Sequence, residues 1–360
     1  MSYTGWVKVT ASNFHLDVST NISALDHRPQ FHIGKCSMSL DNFDYEFGGD
    51  VVPWWLNMFR KPVSTLLKAT ISNVACGIAN SALAAKYNTL LHYLPLRLPI
   101  WWKFYLEYAI DEPVYTRKYF DVEAAAVVSY SSKQCNYTAV EEWPEKDMKP
   151  KMAVMWIYES LPNCILSSFH EGDYLHFTLT KDTPALSTFL QTSCSTLSVC
   201  IGKFFKKLQT DYPDKYIDLY VHSYEAPYVE MADDVVSFFA KFAIDFYINP
   251  MSWNRKVLAR LILDSTTMIY PAISDNRLVG QIIGIDTKFK AESSEIGEIS
   301  KLFLKAFAKA FSGTAKAMLE SILHQGIPLP VFENVTISDR SDVGVVDKFV
   351  RINAELEYLK

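Results

Sequence analysis

From Ser293 to Gly326 apolar residues recur at three-and-four spacing, and this run constrains the fold more than any other stretch of the chain. On a helical projection Ile299, Phe303, Phe307, Ala310, Phe311, Thr314 and Met318 share one side, with Lys301, Lys305, Lys309, Lys316 and Glu320 opposite. Ser293, Ser294, Glu295 and Ile296 read as the opening cap, and Gly326 with Pro328 as the close. Roughly 30 residues at about 1.5 Å each make a rod of about 45 Å, which needs an equally long groove to bury its apolar side. A sheet wrapped along the rod supplies one.

The rest of the chain provides that sheet. Gly5 to Phe47 alternates, with Val7, Val9 and Ala11, then Phe14, Leu16 and Val18, then Met38 and Leu40 on one face of successive strands. Helical spacing takes over near Trp55 and runs through Leu56, Phe59, Val63, Leu66, Leu67, Ile71, Val74 and Ile78 toward Tyr87, with Pro62 in the first turns or kinking them. Leu94, Pro95, Leu96 and Pro99 mark an extended connector. Strands are expected around Phe120 to Tyr130, Ala153 to Ile157, Tyr174 to Thr180, Tyr216 to His222, Val235 to Ile248, Lys256 to Tyr270 and Leu278 to Lys290. A short helical stretch follows Glu159, and Ser274, Asp275 and Asn276 form a turn. The last segment sets Ile352, Ala354, Leu356 and Tyr358 against Arg351, Asn353, Glu355 and Glu357, a closing strand. Strands followed by one long helix thus occur twice, which suggests duplication and two modules, 1–115 and 116–360.

A chain of 360 residues is long enough for two cores. Its 49% hydrophobic and 21% charged residues exclude disorder, and its net charge of -5 repels nucleic acid and anionic membrane surfaces alike, so nucleic acid is not expected as a partner. The longest apolar stretch, Tyr93 to Trp102, is too short and too interrupted to span a membrane, and no transmembrane segment is expected. Met1 to Thr10 has no signal-peptide pattern. Six cysteines without a C-x-x-C pair point away from zinc and toward either disulfides or buried thiols. Asn21, Asn136 and Asn334 open N-x-[ST] sequons, acceptors for glycans if the chain is secreted.

Catalytic signatures are missing: there is no nucleophile elbow, no H-E-x-x-H helix, no phosphate-binding P-loop and no dinucleotide fingerprint. The expectation is therefore a protein that is not an enzyme and needs no cofactor. His170, Glu171 and His176 come nearest to a metal site, but a change from helix to strand between the histidines separates them, and no metal is expected. Lys203, Lys206 and Lys207 cluster beside Phe204 and Phe205, where they either attract an anionic headgroup or form a solvated helix face.

The stretch from Trp54, Trp55 and Leu56 through Lys68 to Cys76, preceded by Cys36, resembles the first long helix and strand of the bactericidal/permeability-increasing, lipopolysaccharide-binding and plasma lipid-transfer proteins. Asn276 to Gly280, then Glu292 to Gly297, then Gly326 to Pro330 is similar to that family's second-domain order of turn, helix start and exit. The resemblance implies an α+β fold of two barrel-like modules, each a curved antiparallel sheet wrapped on a long helix, joined by a central sheet. It begins partway into the family's first domain, so the first module is expected to be incomplete and the secretory signal lost with the missing portion. It implies a Cys36 to Cys76 disulfide. Cys135 with Cys164 and Cys194 with Cys200 are further candidate pairs that spacing does not fix.

The function implied is non-catalytic binding or transfer of phospholipid-like amphipathic lipids by an extracellular protein. The alternative is innate-immune recognition of lipopolysaccharide, presenting microbial lipid to a receptor. Phe59, Val63 and Leu66 in the first helix and Ile299, Phe303, Phe307 and Phe311 in the second are the candidate acyl-contacting residues, although the same phenylalanines equally suit ordinary core packing.

Overall fold

The computed structural model describes residues 5–49, 60–92, 96–101, 103–115, 119–131, 133–135, 140, 143, 151–184, 186–232, 234–252, 254, 256–329, 331 and 334–359. The chain forms two compact units, Met1–Ile100 with Leu106–Ala126, and Trp101–Tyr105 with Val127–Lys360.

In the first unit β1 (Gly5–Leu25) and β2 (Arg28–Gly49) form a single antiparallel hairpin, where alternation suggested several successive strands. Asp26 and His27, both at positive φ, make the two-residue turn that matches the twist of such ribbons. Asn13, at φ 54°, marks the point where the apolar residues of β1 change from odd to even positions. Helix α1 (Arg60–Ile78) passes through a π-helical segment, Ala79–Ala84, into α2 (Ala85–His92). Pro62 stands in the first turn of α1, where its missing N–H costs nothing. Trp54, Trp55, Leu56 and Phe59 lie outside the described residues.

These helices run along β2 through polar contacts. Ser64 Oγ donates to Phe43 O at 2.6 Å, Lys68 Nζ to Asp41 O at 3.0 Å, and Ser72 Oγ to Met38 O at 3.3 Å. Cys76 is disulfide-bonded to Cys36, and Asn88 exchanges two hydrogen bonds with the backbone of Phe31. A stripe at four-residue steps thereby satisfies backbone groups that an open strand leaves unpaired.

Short strands β3 (Arg97–Trp101), β4 (Phe104–Ile110), β5 (Val114–Tyr115), β6 (Phe120–Asp121), β7 (Ala124–Tyr130) and β8 (Lys133–Gln134) follow.

The second unit is built on a curled, antiparallel half-barrel. Its strands are β10 (His176–Leu179), β11 (Ile217–Ser223), β13 (Val235–Ile248), β14 (Ala259–Ser274), β15 (Arg277–Ser294) and β16 (Ile327–Pro328) in that order, with β12 (Tyr228–Ala232) also on β13. Asp275 and Asn276, again both at positive φ, turn β14 into β15. A smaller sheet of β18 (Asp342–Val346), β19 (Phe349–Ala354) and β9 (Ala153–Tyr158) packs beside it, and β17 (Val335–Ile337) pairs with β20 (Leu356–Tyr358). The alternating C-terminal segment is therefore two strands in two sheets, not one.

Helix α3 (Ser160–Glu171) and the short α4 (Lys206–Asp211) precede the long helix α5 (Lys301–Gln325). Ser293 and Ser294 end β15 instead of opening the helix. Ser300 is the N-cap, its hydroxyl accepting from Phe303 N at 3.1 Å. The rod is correspondingly shorter, about 37 Å for 25 residues. Gly326, at φ 57°, ends it. Cys135–Cys164 and Cys194–Cys200 join Cys36–Cys76, leaving no free thiol.

Candidate functional site

The phenylalanine stripe of α5 is interior. Phe303 and Phe307 are 1% exposed and Phe311 is 3% exposed, and Ile299 packs partly buried against the same cluster. Phe303 meets Phe205 with ring centroids 4.8 Å apart, Phe307 meets Phe246 at 5.6 Å and Phe289 at 5.4 Å, and Phe311 meets Phe289 at 5.7 Å. Protein side chains occupy the volume these rings face, so they build one core of the half-barrel. A second core of Val229, Met231, Leu329, Val345, Val350 and Ile352 lies apart from it.

The strand register shows what lies between. On the inner face of β13, β14 and β15, Phe242, Leu263 and Phe289 form one cross-strand row, and Phe238, Thr267 and Ile285 form another. The row separating them is Ala240, Ser265 and Thr287, small where its neighbours are large. The helix touches β15 on both sides of this row. Phe311 packs on Phe289 at one end, and at the other Gly280 admits Leu323, since a Cβ there would come within 3.1 Å of its Cδ2. Between these contacts the helix carries Thr314, whose buried hydroxyl has no hydrogen-bond partner among the described residues, and Met318, which is 38% exposed. The strip mixes small hydroxyl-bearing and apolar side chains and carries no ion pair among the described residues, which suits a ligand's hydrocarbon better than a reacting group.

Charge is kept on the outer face. Asp245, buried, pairs through both carboxylate oxygens with Arg260, whose guanidinium also lies 3.7 Å from Glu292. The hydrogen bond to Asp245, above all, raises the Arg260 pKa above its ordinary value. Tyr220 and Tyr247 are raised above the usual phenol value, first by burial and then by nearby acids, including Asp245. His170 Nδ1 is 2.7 Å from Ser223 Oγ and His176 Nδ1 is 2.7 Å from Asp173 O, so the two imidazoles serve different elements. Among the described residues no group of His, Cys, Asp and Glu could hold a metal ion.

In the first unit α1 turns its polar stripe toward β2, the reverse of what apolar periodicity suggests. Leu66 is 67% exposed, and Val63, Val74 and Ile78 are exposed with it. Across the hairpin Val7, Val9, Phe14 and Leu16 are also exposed. Phe59 lies outside the described residues. Of the sequons, Asn21 and Asn334 are exposed, while Asn136 lies outside the described residues.

Residues 104–358, more than half of the chain, match the C-terminal domain of the LBP / BPI / CETP family. The chain belongs to that family. The LBP / BPI / CETP family is one of lipid-binding and lipid-transfer proteins, and the half-barrel closed by a long helix is its α+β architecture. The crystal structure of lipopolysaccharide binding protein is similar over 99% of this chain and 78% of that one, with a TM-score of 0.53 and 17% identity, a likeness of fold. P47 of Clostridium botulinum E1 aligns over 95% of this chain and 79% of its own at a TM-score of 0.25 and 8% identity. No curated protein sequence matches. Among the described residues no helix is long and apolar enough to cross a membrane.

Sequence reasoning found the helices but missed Ala240, Ser265 and Thr287. Their only signal is three small residues on three different strands, and register is needed to align them.

Proposed function

We propose that this protein binds phospholipid-like amphipathic lipids without chemical change, holding acyl chains against its long helices. The observation that carries the reading is the small-residue row under α5, bounded by Phe311 on one side and by the Leu323 contact on the other. In this reading Ile299, Phe303, Phe307 and Phe311 contribute to the lipid site as its closed end, with Phe311 nearest the chain. Ala240, Ser265, Thr287, Ile285 and Met318 line it. Val63 and Leu66, with the exposed residues of β1, form the acyl-contacting surface of the first unit; Phe59, which apolar spacing assigns the same role, lies outside the described residues.

Apolar burial drives the binding. Each methylene removed from water contributes about 0.8 kcal/mol, so one long acyl chain gains on the order of 10 kcal/mol before ordering costs. Headgroup selectivity is therefore weak, and the acyl chains of lipopolysaccharide would be held by the same chemistry. Three disulfides suit an oxidising, extracellular setting. Asn21 and Asn334 are exposed, as glycan acceptors must be.

Equilibrium uptake of a phospholipid with a fluorescent acyl chain tests the proposal. Met318→Asp should lower uptake by at least tenfold with little change in stability, because Met318 is partly exposed and a charge beside hydrocarbon is costly. Unchanged uptake by a folded Met318→Asp variant would place the acyl site elsewhere.

A further inference from the structure

The loop closed by Cys194–Cys200 stands at the end of the half-barrel where α5 begins. Its base is fixed: Cys200 and Ile201 are fully buried, Ile201 N donates to Phe189 O at 2.8 Å, and Phe205 packs on Phe303. Its tip is not covered. Leu197 is 98% exposed, the most exposed large apolar residue described, and Val199 is exposed beside it. The tip is braced from within. Lys203 Nζ donates to the carbonyls of Thr196 and Ser198, and Ser198 N donates to Ser195 O at 3.3 Å.

The surroundings reverse the sign of the molecule. Against a net charge of -5 overall, Lys203, Lys206 and Lys207 follow the loop, and no acidic residue occurs from Cys194 to Thr210. Carbonyl acceptors hold Lys203, and Lys207 Nζ donates to Glu295 O at 2.8 Å, close enough to the Glu295 carboxylate to help lower its pKa after Lys256. Beside them is an open cavity of about 600 Å³ lined by Lys215 and Lys256 as well as Lys207, over an apolar floor of Ile248, Leu258 and Ile296. Asp211 and Glu295 line it too, Glu295 being paired with Lys256 at 3.0 Å.

We infer that the Cys194–Cys200 loop is a membrane-docking device: Leu197 enters the acyl boundary of an anionic lipid surface while the adjoining lysines meet its headgroups. A braced apolar tip has less backbone left to order on insertion, and a few lysines within a Debye length supply the attraction. This goes beyond lipid binding in the interior and does not depend on which lipid is held there.

Flotation of the full chain with phosphatidylcholine vesicles, with and without a third of phosphatidylserine, tests the inference. Wild type should float with the anionic vesicles and much less with the neutral ones. Leu197→Asp should reduce partitioning by about tenfold or more, the scale of withdrawing one leucine from hydrocarbon, whereas Leu197→Trp should preserve it. Lys206→Gln should reduce it by about fivefold at low salt. Because Leu197 is almost wholly exposed, Leu197→Asp should leave thermal unfolding and fluorescent-lipid uptake unchanged, which separates this test from that of the interior site. Equal flotation of Leu197→Asp and wild type, or no flotation of wild type with anionic vesicles, would overturn the inference.

Discussion

Phe307 belongs to the core of the second unit, and the proposed lipid site begins beyond it. Its ring meets Phe189, Phe246, Phe289, Phe303 and Phe311 inside a buried cluster, so shortening it leaves a cavity there. Phe307→Ala should cost about 3 to 5 kcal/mol of stability, read as a lower denaturant midpoint for the second unit. Lipid uptake measured well below that midpoint should fall far less than in Met318→Asp. A variant that loses uptake without losing stability would show that Phe307 borders an open acyl site directly.

At the scale of elements, the Cys36–Cys76 disulfide ties β2 to α1 across a sequence separation of 40 residues. Cys36→Ser with Cys76→Ser should destabilise the first unit by about 4 kcal/mol in the chain-entropy model, since an isolated two-stranded hairpin is marginal in water. Hydrogen exchange should then quicken along β2 and α1 while β13 and β14 stay protected. Uniform protection would mean that the polar contacts of Ser64, Lys68, Ser72 and Asn88 hold the pair unaided.

Local periodicity made much of these elements readable. The strand Val235 to Ile248 has the bounds its composition suggests, and the phenylalanine stripe is helical as spaced. Ser293 and Ser294 misled because a strand can end on the same residues that cap a helix, and only pairing with Ala259 and Arg260 distinguishes the two. The orientation of α1 was hidden for a different reason. Apolar spacing assumes that the apolar side faces protein, whereas here serine and lysine side chains meet a strand edge and the leucines are left exposed. Register placed Ala240, Ser265 and Thr287 together, which no single stretch of sequence contains.

At the scale of the whole molecule, exposed apolar residues on β1 and α1 have a physical consequence. Patches of this kind are covered in use or associate when bare. Protein stripped of lipid should therefore self-associate as its concentration rises, and added phospholipid should return it to monomer in sedimentation velocity. A lipid-free chain that stays monomeric at high concentration would show that the first unit needs no apolar partner.

The central claim is that this chain carries acyl lipid non-covalently, and native mass spectrometry of protein purified from a eukaryotic secretory host measures it directly. The account predicts a mass above that of the glycosylated polypeptide by one or more phospholipid-sized increments, lost on organic extraction and recovered in the extract as intact lipid of mixed headgroup. A folded protein whose native mass equals that of the polypeptide and its glycans, with no lipid in the extract, would contradict it.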